Sequence, residues 1–355
     1  MIVREISPLR YRWTISAKIF FFFLTLVTLF APLPYVFFMP GTPEDVGGSL
    51  IAVNGAQTYP VNGKLFITSI LVTNPDAPVF GVETLYNWAV GSNVVVPREQ
   101  IYPKTESSNQ ASQQSESEMT SSQASATAAA LSYLGYQFTT AYYVNAIRDY
   151  SDAKGKLERN DIITAIDGKK IEKIEDIRAS YTNKQIGDTL KMTVERKNAS
   201  GVVTTMIYDV RLVASREPAS SGLTSGKPAI GVLIGTTGKF PIDVKFNIDD
   251  VGGPSAGMIF ALGIVDKLSK EDLVKGRRIA GTGTINAQGE VGAIGGIEEK
   301  MIGARRAGAT IFLAPRANCP DIKHIPRGLK VIPVSTLRES IAAMQAPKDS
   351  QFPTC

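Results

Sequence analysis

Apolar residues are spread unevenly along the chain, and the unevenness predicts its elements. Residues 19–43, IFFFFLTLVTLFAPLPYVFFMPGTP, hold no charge. As a helix, Ile19 to Met39 would rise about 31 Å at ~1.5 Å per residue, enough to cross a bilayer core, with Pro32 and Pro34 placed to kink or end it. Short runs of strand character follow at 50–53 and 64–73, beside the turn signals Asn54-Gly55 and Asn62-Gly63. Thr105 to Gln123 is rich in Ser, Gln and Glu and almost free of large apolar side chains, which predicts a flexible, exposed loop over residues 105–121. The alanine-rich stretch from Ser122 to Tyr133 then predicts a helix.

From 134 to 213 the texture changes. Strand character at 142–147, 162–166, 189–196 and 202–212 is punctuated by Gly155, Asp167-Gly168 and Asn198 to Gly201, with a short helix near 174–181. A Ser/Gly/Pro-bearing linker, Arg216 to Pro228, follows. Beyond Ala229 the pattern alternates: strands near 229–234, 244–248, 278–285, 290–294, 310–314 and 330–334, and helices near 254–267, 297–307 and 336–344. The class is α+β, not a helical bundle.

Length and a hydrophobic content of 44% allow one sizeable core and a smaller second one. Of the net charge of +5, three units come from Arg4, Arg10, Arg12 and Lys18 against Glu5. The remainder is nearly balanced and has no Lys/Arg cluster interleaved with aromatics, so nucleic acid is not an expected partner. The basic residues precede the apolar span and Glu44 and Asp45 follow it. The positive-inside rule therefore puts the amino terminus in the cytoplasm and everything after residue 40 outside the cell membrane. A retained single-pass anchor is preferred to a cleaved signal peptide, because no small-x-small site follows the long apolar run.

Cys319 and Cys355 are the only cysteines. In an oxidising exterior they would tie the tail back to the domain; otherwise they are two unpaired thiols. Neither has a Cys or His neighbour at metal-ligand spacing, so no metal is expected.

Two phrases carry candidate chemistry. Gly252-Gly253-Pro254-Ser255-Ala256-Gly257 runs from a loop into an apolar helix, which would set Ser255 at a positive helix end. Gly252, Gly253, Pro254 and Ala256 form the nucleophile loop, where flanking Gly and Ala keep the backbone narrow and free amides would hold an oxyanion; alone, such a serine is more often a simple helix cap. Gly295-Gly296-Ile297-Glu298-Glu299-Lys300-Met301 opens another helix, with Lys300 beside the apolar stripe of Ile297, Met301, Ile302 and Ala304. That position lets its amine reach a partly buried cleft, although a helical lysine is more commonly a solvated charge. His324, the one histidine, sits in Asp321-Ile322-Lys323-His324 and has no expected catalytic role.

Together, GGPSAGMIFALGIVD and IAGTGTINAQGEVGAIGGIEEKMIGARRAGATIFLAPRANCPDI resemble the proteolytic domain of the Lon family of serine–lysine peptidases. The resemblance implies Ser255 as nucleophile, Lys300 as its base and Thr282 as support for the lysine, with Thr284 where a glutamate is usual. The amine must then be largely uncharged, and lowering a lysine from ~10.4 to roughly 7–8 takes about 4 kcal/mol, supplied by burial and distance from carboxylates. Asp249 and Asp250 are expected to point away from Lys300 or to orient substrate.

GKLERNDIITAIDGKKI at 155–171 similarly resembles a bacterial-type PDZ domain, with Asn160 where glycine is usual. It implies peptide binding by strand addition, through a loop Leu134-Gly135-Tyr136-Gln137 that accepts free carboxy termini. The expected plan is a cytoplasmic tail 1–18, a transmembrane helix 19–39, a first peptidase part 45–134, a PDZ-like insertion 135–214, a linker 215–228, the catalytic remainder 229–346 and a tail 347–355. That combination resembles the membrane-anchored, PDZ-containing Lon-like serine peptidases of Gram-positive bacterial type. No G-x-x-x-x-G-K-[ST] phosphate loop occurs, so no ATP and no cofactor are expected. The expectation is an ATP-independent serine endopeptidase acting on extracytoplasmic or membrane-exposed proteins, in a homo-oligomeric ring. The alternative is an inert, membrane-anchored PDZ adaptor.

Overall fold

A computed structural model describes residues 14–74, 76–102, 108–198, 202–215, 226–248, 252–347 and 350–355. They fall into two compact units, one of residues up to 40 with 70–108, the other of residues 41–69 with 109–355.

In the first unit, helix α1 (Ile15–Phe30) starts where the Thr14 side chain accepts the Ala17 amide. The expected single helix through Met39 is not what forms. Pro32 and Pro34 cannot continue the ladder, and Tyr35–Pro40 instead runs as a strand between Ile70–Val72 and Val94–Pro97, antiparallel to both. The pairing buries Val36 and Phe37. It also draws residues 70–102 into this unit, although the sequence placed them in the first peptidase part. Helix α2 (Gly81–Ala89) completes the unit. Among the described residues, no helix is long and apolar enough to cross a membrane.

The second unit is built on a five-stranded sheet in the order Lys330–Val334, Ile311–Pro315, Arg278–Gly281, Lys64–Ile67, Glu44–Asp45. The first four strands are parallel and the last is antiparallel. Side chains alternate across the sheet, so Leu65 and Ile67 enter one core while Phe66 enters another. Both faces are covered, which is why these strands read as continuous apolar runs.

Helix α3 (Ser108–Tyr133) occupies most of the segment expected to be a loop. Its buried stripe, Met119, Ser122, Ala126, Ala129 and Ala130, has helical spacing but, Met119 apart, is made of small residues that carry little hydrophobic signal. Polarity along the segment hid that stripe.

The PDZ-like region forms a second sheet around helix α4 (Ile174–Ala179), with a separate core that includes Val144, Ile163, Ile177, Leu190 and Met192. Its order is Val203–Arg211, Thr189–Lys197, Ile162–Ile166, Thr139–Ile147, Val232–Lys239. Asn160 stands at φ 69°, the left-handed conformation that glycine would adopt there. Asp167-Gly168, both at positive φ, close the two-residue hairpin from Ile162–Ile166 to Lys169–Lys170. Most of the linker, residues 216–225, lies outside the described residues.

The last strand of that sheet comes from beyond the linker and leads on to the segment that holds Ser255. After Val232–Lys239 the chain forms Asp243–Phe246, antiparallel to Ile51–Asn54. Helix α5 (Gly257–Leu268) follows, buried on all sides from Gly257 to Asp266, then α6 (Ile297–Arg306) and α7 (Leu337–Gln345). Met258, Ile259 and Leu262 of α5 share a core with Leu337 and Ile341 of α7, whereas Ile297, Met301 and Ala304 of α6 belong to the core that holds Phe66.

Cys319 and Cys355 are bonded to each other, 36 residues apart in sequence. Closing a loop of that length removes unfolded-state entropy worth about 4 kcal/mol. Replacing Cys355 with Ser should therefore lower unfolding stability by about 3–4 kcal/mol in urea titrations, and reductant should have the same effect on the parent protein but none on the variant.

Candidate active site

Ser255 sits in a single 3-10 turn, Pro254–Ala256, at the head of α5. The chain enters it through Gly253 at φ 81°, where a side chain would be strained. Backbone groups hold the turn from several directions. The Gly253 amide donates to the Ser115 carbonyl at 3.1 Å, and the Ser122 hydroxyl donates to the Pro254 carbonyl at 3.0 Å. The Ser255 carbonyl accepts from the Gly283 amide at 2.8 Å and from the Thr282 hydroxyl at 2.9 Å. With its own carbonyl fixed twice, Ser255 has a preset orientation.

Lys300 comes from the other phrase. Gly296, in the left-handed conformation, starts α6, and the Lys300 amide donates to its carbonyl at 3.1 Å. Buried Asn318 pins the approach: its side chain accepts the Ile294 amide at 2.9 Å and donates to the Ile294 carbonyl at 2.8 Å and to Asp321 at 2.9 Å. Lys300 is 2% exposed. Its Nζ lies 2.7 Å from Ser255 Oγ and 3.1 Å from Thr282 Oγ1.

Thr282 follows strand Arg278–Gly281, so the three side chains meet at the carboxyl end of a parallel strand, the end where α/β sheets place their sites. The sequence read one strand through 285. It breaks at Thr282-Gly283 and resumes at Thr284–Ile285, and the break lets Thr282 receive the amine while donating to the Ser255 carbonyl. Thr284 itself packs over Gly292.

Burial pushes the Lys300 amine down from 10.5 to about 8. Its place in the first turn of a helix, at the positive end of the dipole, acts in the same direction. Glu299 next to it is buried too, and burial raises its carboxyl, which favours the neutral acid. At pH 7 about one molecule in ten then carries the free base, against ~1 in 10³ for an unperturbed lysine. A neutral amine 2.7 Å away can take the serine proton as the oxygen attacks.

Of the four residues expected around an oxyanion, two supply no free amide: that of Gly253 is spent on Ser115 and Pro254 has none, while Ser255 and Ala256 head the helix. Ser115, Ser122 and Asn318 were not singled out from the sequence. Ser115 fell in the segment read as a loop, and nothing local marks these three residues as supports of the site. Asp249 and Asp250 lie outside the described residues. His324 is on the surface, 3.8 Å from Glu298.

The expected peptide loop is also reassigned. The amides of Leu134, Gly135 and Tyr136 donate to the carbonyls of Ala130, Ser132 and Leu131, so these residues cap α3 instead of presenting donors to a carboxylate. Strand Thr139–Ile147 is paired along one side with Ile162–Ile166 and along the other with Val232–Lys239. Among the described residues, the sheet's open edge on this side belongs to Val232–Lys239. Beyond that strand's end, a cavity of about 530 Å³ opens between Thr120, Gln123 and Thr127 of α3 and Phe240, Ile242 and Phe246.

A serine hydroxyl beside a dehydrated lysine, on an α+β scaffold, is an arrangement in which an amine stands where an imidazole would activate the hydroxyl. Comparison with known proteins gives the particular kind. Residues 247–345 match the Lon protease (S16) C-terminal proteolytic domain, and residues 132–207 match the PDZ domain family. Lon protease 1 of Bacillus subtilis is 33% identical over 148 residues, covering 41% of this chain and 19% of that protein. Lon protease of Clostridioides difficile is 36% identical over 118 residues, 30% of this chain and 15% of that protein. The chain thus spans less than a fifth of these relatives. The PDZ domain of an SdrC-like protein from Listeria monocytogenes aligns with 26% of this chain and 85% of its own length, at 24% identity and a TM-score of 0.22, too slight a likeness to argue from. One segment of the chain is thus similar to the Lon proteolytic domain and another to a PDZ domain.

Holding an ammonium in this site costs the fold about 3 kcal/mol, the difference between 10.5 and about 8. The folded value is depressed, so the unfolded chain binds more protons between those values and stability rises with pH from 8 to 10.5. Lys300→Met should accordingly be more stable than the parent by up to about 3 kcal/mol at pH 7, an advantage that fades above pH ~10. Thermal or urea unfolding across pH checks it; an advantage independent of pH would mean that packing, not charge, sets the difference.

Proposed function

We propose that the chain is a serine endopeptidase in which Ser255 is the nucleophile, Lys300 the general base and Thr282 the residue that positions the amine. The observation that carries this reading is the 2.7 Å contact between Lys300 Nζ and Ser255 Oγ inside a site that excludes water from the lysine.

Neutral Lys300 takes the hydroxyl proton as Ser255 Oγ bonds to the scissile carbonyl carbon, and the carbonyl electrons move onto oxygen. The amides of Ser255 and Ala256 at the helix end stabilise that oxyanion. The ammonium then protonates the leaving amine, which departs as the acyl-enzyme forms. Water, deprotonated by the same amine, releases the acyl group and restores the serine. Thr282 accepts a hydrogen bond from Nζ throughout and so fixes its direction.

The finer reading has four parts. Hydrolysis needs no nucleotide, in keeping with a sequence without a phosphate loop. The PDZ domain captures protein segments, and an extended chain would add to the edge of Val232–Lys239. Capture raises substrate concentration near a cleft reached by the same strand. The apolar amino-terminal segment holds the protein at the cell membrane, with the peptidase outside and substrates that are extracytoplasmic or membrane-exposed. A homo-oligomeric ring is the proposed assembly, measurable by light scattering.

Incubated with unfolded casein and no nucleotide, the parent protein should cut, while Ser255→Ala and Lys300→Ala should lose activity by several orders of magnitude without unfolding. Equal cleavage by all three, or none by any, would favour an inert adaptor. The profile of kcat/KM should rise with pH along a limb centred near 8, where Lys300 loses its proton. Thr282→Val should lower kcat/KM about tenfold, the worth of one hydrogen bond at ~1.4 kcal/mol, and should shift that limb, which a purely structural defect would leave in place.

A further inference from the structure

Helix α2 is built inside out. On a helical projection, Val82, Leu85, Tyr86, Trp88 and Ala89 share one arc, while Glu83, Thr84 and Asn87 share the other. A helix against an aqueous surface turns its apolar arc inward. Here the polar arc is the one that turns in, at Asn87 and in part at Thr84, while Glu83 at its edge stays exposed. Asn87 is buried; its amide donates to the Glu83 carbonyl at 2.9 Å and its oxygen accepts from Asn93 at 2.8 Å. The Thr84 hydroxyl donates to the Phe80 carbonyl at 3.0 Å. The apolar arc faces outward, with Leu85 55% and Trp88 76% exposed.

Helix α1 is apolar on its outward surface as well. Ile19, Phe20, Phe21, Phe22 and Phe23 are exposed, and none of its residues is buried. Its hydroxyls at Thr25 and Thr28 are closed onto the Phe21 and Leu24 carbonyls, each at 2.8 Å, as polar groups must be where no water is at hand. The two helices meet at the carboxyl end of α1, where Gly81 lies so close to the Thr28 carbonyl that a Cβ would collide with it. The outward surfaces are therefore continuous.

We propose that α2 is an interfacial helix, lying with Leu85, Tyr86 and Trp88 in the headgroup–acyl boundary of the leaflet in which α1 ends. The inference rests on the membrane reading above. A lipid surface fits this face better than a second copy for three reasons. The face continues the apolar surface of α1. It carries no Lys, Arg, Asp or Glu, Glu83 being on the other arc. Its Tyr and Trp are the residues that favour a boundary apolar on one side and wet on the other. The sixteen residues of α1 rise about 24 Å, short of a ~30 Å hydrocarbon core, and α2 would supply apolar cover at the deficient end.

The chain has two tryptophans, so Trp13→Phe leaves Trp88 as the only one. The full chain with that change is reconstituted in phosphatidylcholine vesicles that carry bromine near the acyl carbonyls, at mid-chain, or nowhere, and the same vesicles are floated on a density gradient. The expected result is blue-shifted Trp88 emission, with the largest intensity loss from the shallow bromines. Adding Leu85→Asp should shrink that loss in vesicles that still float with the protein. Equal Trp88 intensity in all three vesicles, from protein that floats with them, would overturn the inference while leaving the α1 anchor standing. Protein that does not float would overturn both.

Discussion

The second unit is organised around keeping water away from one amine. In the proposed mechanism Lys300 serves only because it is dehydrated: exposure would return it to the ordinary lysine range and leave Ser255 with an ammonium neighbour that cannot accept a proton. Several features serve that end. A sheet covered on both faces, a fully buried α5 and the Asn318 clamp at the entrance to α6 all restrict solvent or motion near Nζ. The nucleophile turn is held through backbone carbonyls, so the Ser255 side chain is left to face the amine.

The route of the chain links recognition to chemistry. Val232–Lys239 finishes the PDZ sheet, Asp243–Phe246 joins the peptidase core against Ile51–Asn54, and the nucleophile turn comes next. Helix α3 is the second link. Ser117 hydrogen-bonds Asn145 of the PDZ sheet at 2.6 Å, while Ser115 and Ser122 of the same helix hold the turn around Ser255. A rearrangement of the PDZ sheet therefore has two short mechanical paths to the serine.

The meeting of Ser255 and Lys300 was legible in the sequence because both lie in local signatures: glycines at positive φ, Gly253 and Gly296, a proline before the serine, and a lysine beside an apolar stripe. The strands of the parallel sheet were legible because burial on both faces leaves unbroken apolar runs. What was hidden depended on contacts between distant segments. Helix α3 buries small and hydroxylated residues, so its stripe carried little hydrophobic signal. The end of α1 at Phe30 reflects two prolines and the later strands that Tyr35–Pro40 needs as partners. Leu134 to Gln137 has the composition of a binding loop, yet the preceding helix claims its amides, and no local pattern reports where a hydrogen bond has already been made.

One feature of the PDZ sheet bears on how such proteins are assembled in evolution and in the laboratory. The stretch recognisable as a PDZ domain, residues 132–207, does not contain its own final strand, because Val232–Lys239 is donated from across the linker. A cassette cut at the recognisable borders would leave Thr139–Ile147 with a bare edge, a template for aggregation. The module is thus not a portable bead on a string. Whoever transplants it, by recombination or by cloning, must carry the far-side strand along with it.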